Sequence, residues 1–344
     1  MRGGGVERAL LRLAGGWAAA GRRVTLVIGS VEGPLAAEIP DAVTVHALGD
    51  AGYGALRSAV PGLVRERAPD MIFCPGNHYT SVAAWARLRL GRSCPPIVGK
   101  VSNALVRPDM GRVEAWGYRR WLRLHPGFLD HVVAMSPGMA AEAAREMALS
   151  CQRISVIPNP PALPRPDAAP VPLPEGRYLL GVGRLEPQKR WERAIAALPR
   201  LADRQVKLVI LGEGSLRAEL EAQVRALGLG DRVSMPGHAG DPLPAIARAE
   251  AVVLTSDFEG VPGVLREALG LGTPVVATES SVSVREIVAS AALGTTVPRG
   301  DGDALVAALD HWLAPGAVRP EPVADGGDSI AAYLALFDAL QRSR

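Results

Sequence analysis

Short apolar runs alternate with stretches of helical period along the whole chain. In the first half the runs lie at 24–28, 43–48, 71–74, 96–101, 131–136 and 154–157, with helical patterns at 6–20, 79–90 and 137–147 between them. After 177 the alternation restarts, with strands expected at 178–183, 206–211, 233–236, 251–254 and 274–277, and helices at 191–201, 216–227, 264–269 and 303–312. Strand and helix in repeated alternation mean a parallel sheet covered on both faces. Between the two series lies 158–176, with eight prolines and no period, which reads as a stiff linker. The expected fold class is therefore α/β, two tandem doubly wound Rossmann-like domains, with ligands bound beyond the carboxyl ends of the strands in a cleft that the domains face.

Length agrees with two domains, since 344 residues exceed one ordinary core. No run of about 18 uninterrupted apolar residues is present, so no spanning helix is expected. The three cysteines, Cys74, Cys94 and Cys151, have neither disulfide-framework nor metal-ligand spacing, and no leader pattern opens the chain. Both features fit a reducing cytoplasmic setting.

The net charge of +3 hides an asymmetry: residues 1–165 hold 20 Arg+Lys against 12 Asp+Glu, and residues 166–344 hold 18 against 23. The basic excess gathers in GRVEAWGYRRWLRLHPGF, where Arg112, Arg119, Arg120 and Arg123 interleave with Trp116 and Trp121. As a helix this segment suits an anionic membrane surface, such as the inner face of the plasma membrane. It equally suits an ordinary amphipathic helix with tryptophan in the core. No nucleic-acid-binding motif accompanies the charge, and no nucleic-acid partner is expected.

Candidate chemistry lies mainly in the second half. LGVGRLEPQKRWERAI sets Gly181 and Gly183 at a strand end, then Arg184 and Lys189 before a helix. Only three lysines occur among 38 basic residues, so Arg184 and Lys189 read as a clamp for a diphosphate, with solvated loop residues as the plainer alternative. In FEGVPGVLREALGLGTPVVAT, Pro262 suits a first helical position, and the amides of Gly263 and Val264 would face an anion. Glu259 and Glu267 would then be left for hydroxyl groups, because carboxylates accept hydrogen bonds and repel phosphate. A polyhydroxylated diphosphate such as a nucleotide sugar fits, with Glu267 on the ribose and Glu259 on the sugar; two exposed glutamates are the plainer alternative. RGDGDAL imitates a metal-binding Asp-x-Asp, but Asp303 reads as a helix N-cap, and no metal or cofactor is expected.

Taken in order, GGGVERALLRLA, GVGRLEPQKRWERAI, LVILGEGSLRAELE, FEGVPGVLREALGLGTPVVAT and LGTTVPRGDGDALVAAL resemble the family-4 retaining glycosyltransferases of the GT-B fold, bacterial cell-envelope type. The resemblance implies an acceptor-binding domain at 1–160, the linker at 161–176, a nucleotide-sugar-binding domain at 177–325 and a last helix, within 326–344, that packs back on the first domain. It implies a nucleotide sugar donor, UDP favoured over GDP, a lipid-linked or cell-envelope glycan acceptor, and transfer with retention and without a metal. Arg184, Lys189 and Glu259 would be catalytic. Gly4, Gly5, Gly183, Gly260, Val261, Gly263, Val264 and Glu267 would bind the donor. The leaving phosphate would take the acceptor's proton.

Three departures accompany the resemblance. Pro262 stands where many members have glycine. VGKVSNAL offers Ser102 and Asn103 where many relatives have histidine, which shifts the acceptor-side role to Asn103 or His78. The Gly-rich opening is not preceded by its strand, so the first strand of the first domain is expected to be missing. A non-catalytic sugar-nucleotide-binding relative and a sugar-nucleotide epimerase of the same fold are the alternatives.

Overall fold

The computed structural model describes residues 5–33, 35–49, 52–107, 109–165, 167–324 and 327–342. The chain forms two compact units, Met1–Pro160 with Gly326–Arg344, and Pro161–Asp325. The first contains α1 (Gly5–Ala19), β1 (Thr25–Ile28), β2 (Thr44–Ala47), α2 (Tyr53–Arg67), β3 (Ile72–Cys74), α3 (Thr80–Leu90), β4 (Ile97–Lys100), α4 (Arg112–Leu122), β5 (His131–Ala134), α5 (Pro137–Met147) and β6 (Ile154–Val156). The second contains β7 (Tyr178–Val182), α6 (Trp191–Ala197), β8 (Lys207–Leu211), α7 (Arg217–Ala226), β9 (Val233–Gly237), α8 (Leu243–Arg248), β10 (Ala251–Leu254), α9 (Gly263–Gly270), β11 (Val275–Thr278), α10 (Val282–Ile287), β12 (Gly294–Val297) and α11 (Gly302–Leu313). The last helix, α12 (Ser329–Arg342), returns to the first unit.

Every strand pair is parallel. In the second unit the order is β12-β11-β10-β7-β8-β9, so the chain leaves β7 toward one edge and resumes at β10 on its other side. The β7/β10 border is thus a topological switch point, where loops leave the sheet in opposite directions and open a crevice beyond the strand ends. Central strands are apolar throughout, as Ala251–Leu254 and Val275–Thr278 are, because helices cover both faces.

In the first unit the strands form a pair, β1-β2, and a separate four-stranded sheet, β3-β4-β5-β6. Helix α1 serves both: Leu11 and Ala14 pack with Leu26, Ile28 and Val43, while Leu13 and Trp17 pack with Val98, Val133, Ile157 and Tyr333. Offsets of two to four residues give α1 these two apolar faces. Gly16 lets α12 come close, since a Cβ there would lie 2.4 Å from Ile330 Cδ1. Trp17, Phe73, Tyr333 and Phe337 then form an aromatic cluster with centroids 5.1–6.3 Å apart, edge-on in every pair but the tilted Tyr333–Phe337.

Several elements depart from expectation. Helix α2 runs through Pro61 and Gly62, helix-weakening residues that obscure its period, yet Leu56 and Pro61 are buried. The short α8, α10 and β12 were not anticipated either. The described residues of 158–176 form no helix or strand, but Val171 and Leu173 pack on the second unit's core and the Arg165 amide donates to Asp241 Oδ2 at 2.9 Å. Asp301, rather than Asp303, caps α11: its side chain accepts from Ala304 N at 2.9 Å, while Asp303 pairs with Arg200. Pro262 is the N-cap of α9 and not its first helical residue.

Two buried polar groups of the first unit set its response to substitution and to pH. The Tyr333 hydroxyl is buried without a partner among the described residues, and burial raises its pKa. Tyr333→Phe should therefore stabilise the protein by about 1 kcal/mol, read as a rise of roughly 2–4 °C in Tm. Lys100 is 3% exposed at the end of β4, its ammonium donates to Asn159 Oδ1, and burial lowers its pKa to about 7. Between pH 7 and the ordinary lysine value the unfolded chain binds the extra proton, so this group's contribution to stability rises with pH across that window. Lys100→Met should melt above the unmodified chain at pH 7, and the gap should narrow toward pH 10; a gap constant with pH would refute the assignment.

Candidate functional site

At the carboxyl end of β7 the chain passes Gly181 and Gly183 beneath the ring of Trp191. A Cβ at Gly181 would lie 2.6 Å from Trp191 Cζ3, and one at Gly183 would lie 3.1 Å from Lys189 Cε. Glycine is required here because a buried indole and a lysine stem cross the strand end. The indole N–H donates to the Arg184 carbonyl at 3.0 Å, which fixes that turn, and the Arg184 guanidinium is left exposed.

Lys189 follows a short turn and points at the loop after β10. Its ammonium donates to Glu259 Oε1 at 2.6 Å, and Ser256 Oγ donates to the same oxygen at 2.6 Å. Both charged side chains are mostly covered, 16% and 10% exposed. Lys189 and Glu259, 70 residues apart in sequence, meet at the switch point because β7 and β10 are neighbours there. Both donors converge on Oε1, so the lone pairs of Oε2 remain for a hydroxyl-bearing ligand.

The Glu259 loop is pinned to the loop after β11. Glu259 N donates to Ser280 O at 3.0 Å, Ser281 Oγ to Gly260 O at 2.8 Å and Thr278 Oγ1 to Ser256 O at 2.6 Å. Gly260 is buried and Val261 half-buried, and α9 begins at Gly263 with no side-chain cap. The amides of Gly263 and Val264 belong to the first helical turn, which has no intrahelical acceptor and carries the positive end of the helix dipole. Glu267, one turn on, folds back over that end: its Oε1 lies 4.0 Å from where a Gly263 Cβ would be. A carboxylate pair flanking free amides, with a covered ammonium alongside, can hold phosphates and hydroxyl groups side by side.

Of the residues expected from sequence, Lys189, Glu259, Gly183 and Gly260 are brought together here, and Val261, Gly263, Val264 and Glu267 continue the same loop and helix. Gly5 opens α1 as a helical residue with open space where a Cβ would be, and Gly4 lies outside the described residues. Ser256, Ser280 and Asp257 were missed as site residues. Their signal was a polar cluster directly after an apolar strand, TSD for Ser256 and Asp257 and ESS for Ser280, which reads as an ordinary loop.

In the first unit, Asn103 and His78, the residues expected on an acceptor side, lie on the loops that Asn77 joins or adjoins. The Asn77 side chain accepts from Ser102 N at 3.0 Å and donates to Asn103 O at 3.1 Å, joining the loops after β3 and β4. Asn103 Oδ1 accepts from Ala104 N at 2.8 Å, and His78 is exposed beside it in sequence order after Asn77. Glu142 supports the same loop by accepting from Leu105 N at 3.2 Å, and burial raises its pKa.

The basic segment forms α4. Val113, Trp116, Arg120 and Leu124 follow one exposed face, with Trp116 63% exposed and Arg120 5.2 Å over its ring. Arg112 and Arg123 are also exposed, and Arg119 pairs with Glu146 at 3.5 Å. Trp121 does not share this surface. Five residues beyond Trp116 it is rotated by about 140° around the helix, so its N–H donates to Thr80 Oγ1 at 3.3 Å and its ring stacks on Phe128.

Comparison with known proteins bears on both units. The model "Glycosyl transferases group 1" matches residues 168–321 and "Glycosyltransferase Family 4" matches residues 3–161. An N-acetylgalactosamine-N,N'-diacetylbacillosaminyl-diphospho-undecaprenol 4-alpha-N-acetylgalactosaminyltransferase of Campylobacter jejuni is 34% identical over 137 residues, 40% of this chain and 37% of that protein. A lipopolysaccharide 1,6-galactosyltransferase of Salmonella typhimurium is 30% identical over 192 residues, 54% of this chain and 53% of that protein. The matched stretches thus span about a third to a half of these relatives' own length. Among solved structures, Anabaena HepE in complex with UDP-glucose superposes with a TM-score of 0.72 at 20% identity, covering 99% of this chain and 92% of that one, which shows the fold. With one family model over each unit and the GT-B architecture shared throughout, the chain belongs to the family-4 glycosyltransferases of the GT-B fold.

Proposed function

We propose that this chain is a retaining, metal-independent glycosyltransferase that moves a sugar from a nucleotide diphosphate sugar, UDP-linked in preference to GDP-linked, to a lipid-linked or cell-envelope glycan acceptor. The observation that carries this function is the Lys189–Glu259–Ser256 cluster at the switch point beside the α9 amides. The named relatives support it, since one acts on a diphospho-undecaprenol-linked sugar, one on lipopolysaccharide, and HepE binds UDP-glucose.

In this scheme the anomeric carbon–oxygen bond to the diphosphate breaks and a bond to the acceptor oxygen forms on the same face of the sugar. The acceptor's proton passes to the departing phosphate, so no protein base is required. Negative charge grows on the diphosphate as it leaves, and Arg184, Lys189 and the amides of Gly263 and Val264 stabilise it where a metal otherwise would. Glu259 holds the sugar hydroxyls and Glu267 the ribose, while Gly183, Gly260 and Val261 let backbone approach the donor. Asn103 and His78 provide the acceptor side from the first unit.

The exposed face of α4 fits a cytoplasmic enzyme that works peripherally on the inner face of the plasma membrane. Its arginines meet anionic headgroups while Trp116, Val113 and Leu124 enter the interface. No helix among the described residues is long and apolar enough to cross a membrane.

Selective ligand binding raises Tm by mass action, about 2.7 kcal/mol at a hundredfold excess over Kd. A thermal-shift panel of UDP, GDP, ADP and their sugar conjugates should therefore show a rise with UDP or a UDP-sugar that disappears in Lys189→Ala and Glu267→Ala. A chain indifferent to all of them would not be a nucleotide-sugar transferase. Anionic liposomes should sediment the protein, and the combined variant Trp116→Ala, Arg120→Gln, Arg123→Gln should stay in the supernatant; equal sedimentation of both would remove α4 as the membrane contact.

A further inference from the structure

The loop that carries Lys189 and the loop that carries Glu259 are joined by a second set of charges behind the site. Asp257, two residues before Glu259, accepts from Arg190 Nε at 2.5 Å on one carboxylate oxygen and meets Arg193 Nη2 at 2.7 Å on the other. The backbones interlock around it: Asp257 N donates to Gln188 O at 2.9 Å, Gln188 Nε2 to Phe258 O at 2.7 Å, and Thr255 Oγ1 to the carbonyls of Lys189 and Arg190 at 2.9 Å each. Arg193 Nη1 adds a bond to Thr255 O at 3.1 Å.

Arg190 sits at the strained end of this arrangement. Its backbone is left-handed, φ 53° and ψ 40°, one of three non-glycine residues at positive φ among those described. Such a turn suits glycine, and a long charged side chain there needs a compensating interaction. The turn also redirects the chain from Lys189 into α6, so its conformation sets where the Lys189 stem leaves the backbone.

We propose that Asp257 is a positioning residue, whose carboxylate bridges Arg190 and Arg193 to hold the left-handed turn and so aims Lys189 at the donor diphosphate. Asp257 does not touch the donor; it acts through Lys189. The inference rests on the donor-site function proposed above. The carboxylate's pKa is lowered: burial would raise it, but its hydrogen bonds and charge contacts with Arg190 and Arg193 prevail, so it is ionised at neutral pH and can hold both guanidiniums.

Calorimetric titration tests it, using whichever of UDP, GDP or ADP binds the unmodified chain and the matching nucleoside monophosphate. Asp257→Asn should weaken diphosphate binding about tenfold, with the monophosphate changed about twofold or less, because the lysine loses its aim at the added charge. Arg190→Gly in the Asp257→Asn background should recover diphosphate affinity, since glycine takes the left-handed turn without the carboxylate bridge. Asp257→Glu should recover part of the loss. Diphosphate affinity intact in Asp257→Asn but lost in Lys189→Ala, or a loss in Asp257→Asn that Arg190→Gly does not reverse, would overturn the positioning role alone. Equal loss for mono- and diphosphate would also overturn it, by showing a general loosening. No binding of any diphosphate by the unmodified chain would overturn the donor site, and the positioning role with it.

Discussion

The second unit is organised around one covered ion pair. Lys189 and Glu259 lie at 2.6 Å under protein, and removing either would strand the other's charge at about 3–5 kcal/mol. That constraint explains the surroundings: glycine where the lysine stem crosses the strand end, serine on the shared carboxylate oxygen, and a neighbouring loop that anchors the Glu259 amide. It also means that an anionic ligand reaching Lys189 competes with Glu259 for the ammonium. The two charges thus neutralise each other, and part of a ligand's attraction goes into loosening a pair that already exists.

How much of this was legible in the sequence depends on the range of the interactions. The alternating fold was legible because buried parallel strands are apolar along their whole length, as Ala251–Leu254 shows, and because glycines and prolines punctuate them. Glu259 and Glu267 stood out since their spacing, the glycines and the helix start are all local. That Lys189 reaches Glu259 was not legible, because it depends on β7 and β10 being neighbours across 70 residues. Asp257 escaped notice for the same reason, its partners Arg190 and Arg193 being equally distant.

Other misses have local causes. Pro61 and Gly62 mask α2, whose helix is kept by burial of Leu56 and Pro61. Trp121 was grouped with Trp116 because both are tryptophans in one basic segment, yet their angular separation sends one ring into packing and the other to solvent. Asp301 took the cap expected of Asp303 because α11 begins at Gly302, two residues ahead of the start that a cap at Asp303 would set. A shift that small changes which carboxylate meets the free amides.

The return of α12 to the first unit has a consequence for the order in which the chain acquires its structure. Trp17 and Phe73 are made well before Tyr333 and Phe337, which complete their cluster. The second unit is contiguous in sequence and has all its strands before α12 exists. During synthesis the second unit can therefore close while the first still shows an uncovered aromatic surface on α1 and β3. The apolar face of the first unit is thus the one that stays uncovered longest during synthesis, and transiently exposed apolar surface is what makes a folding chain prone to aggregate.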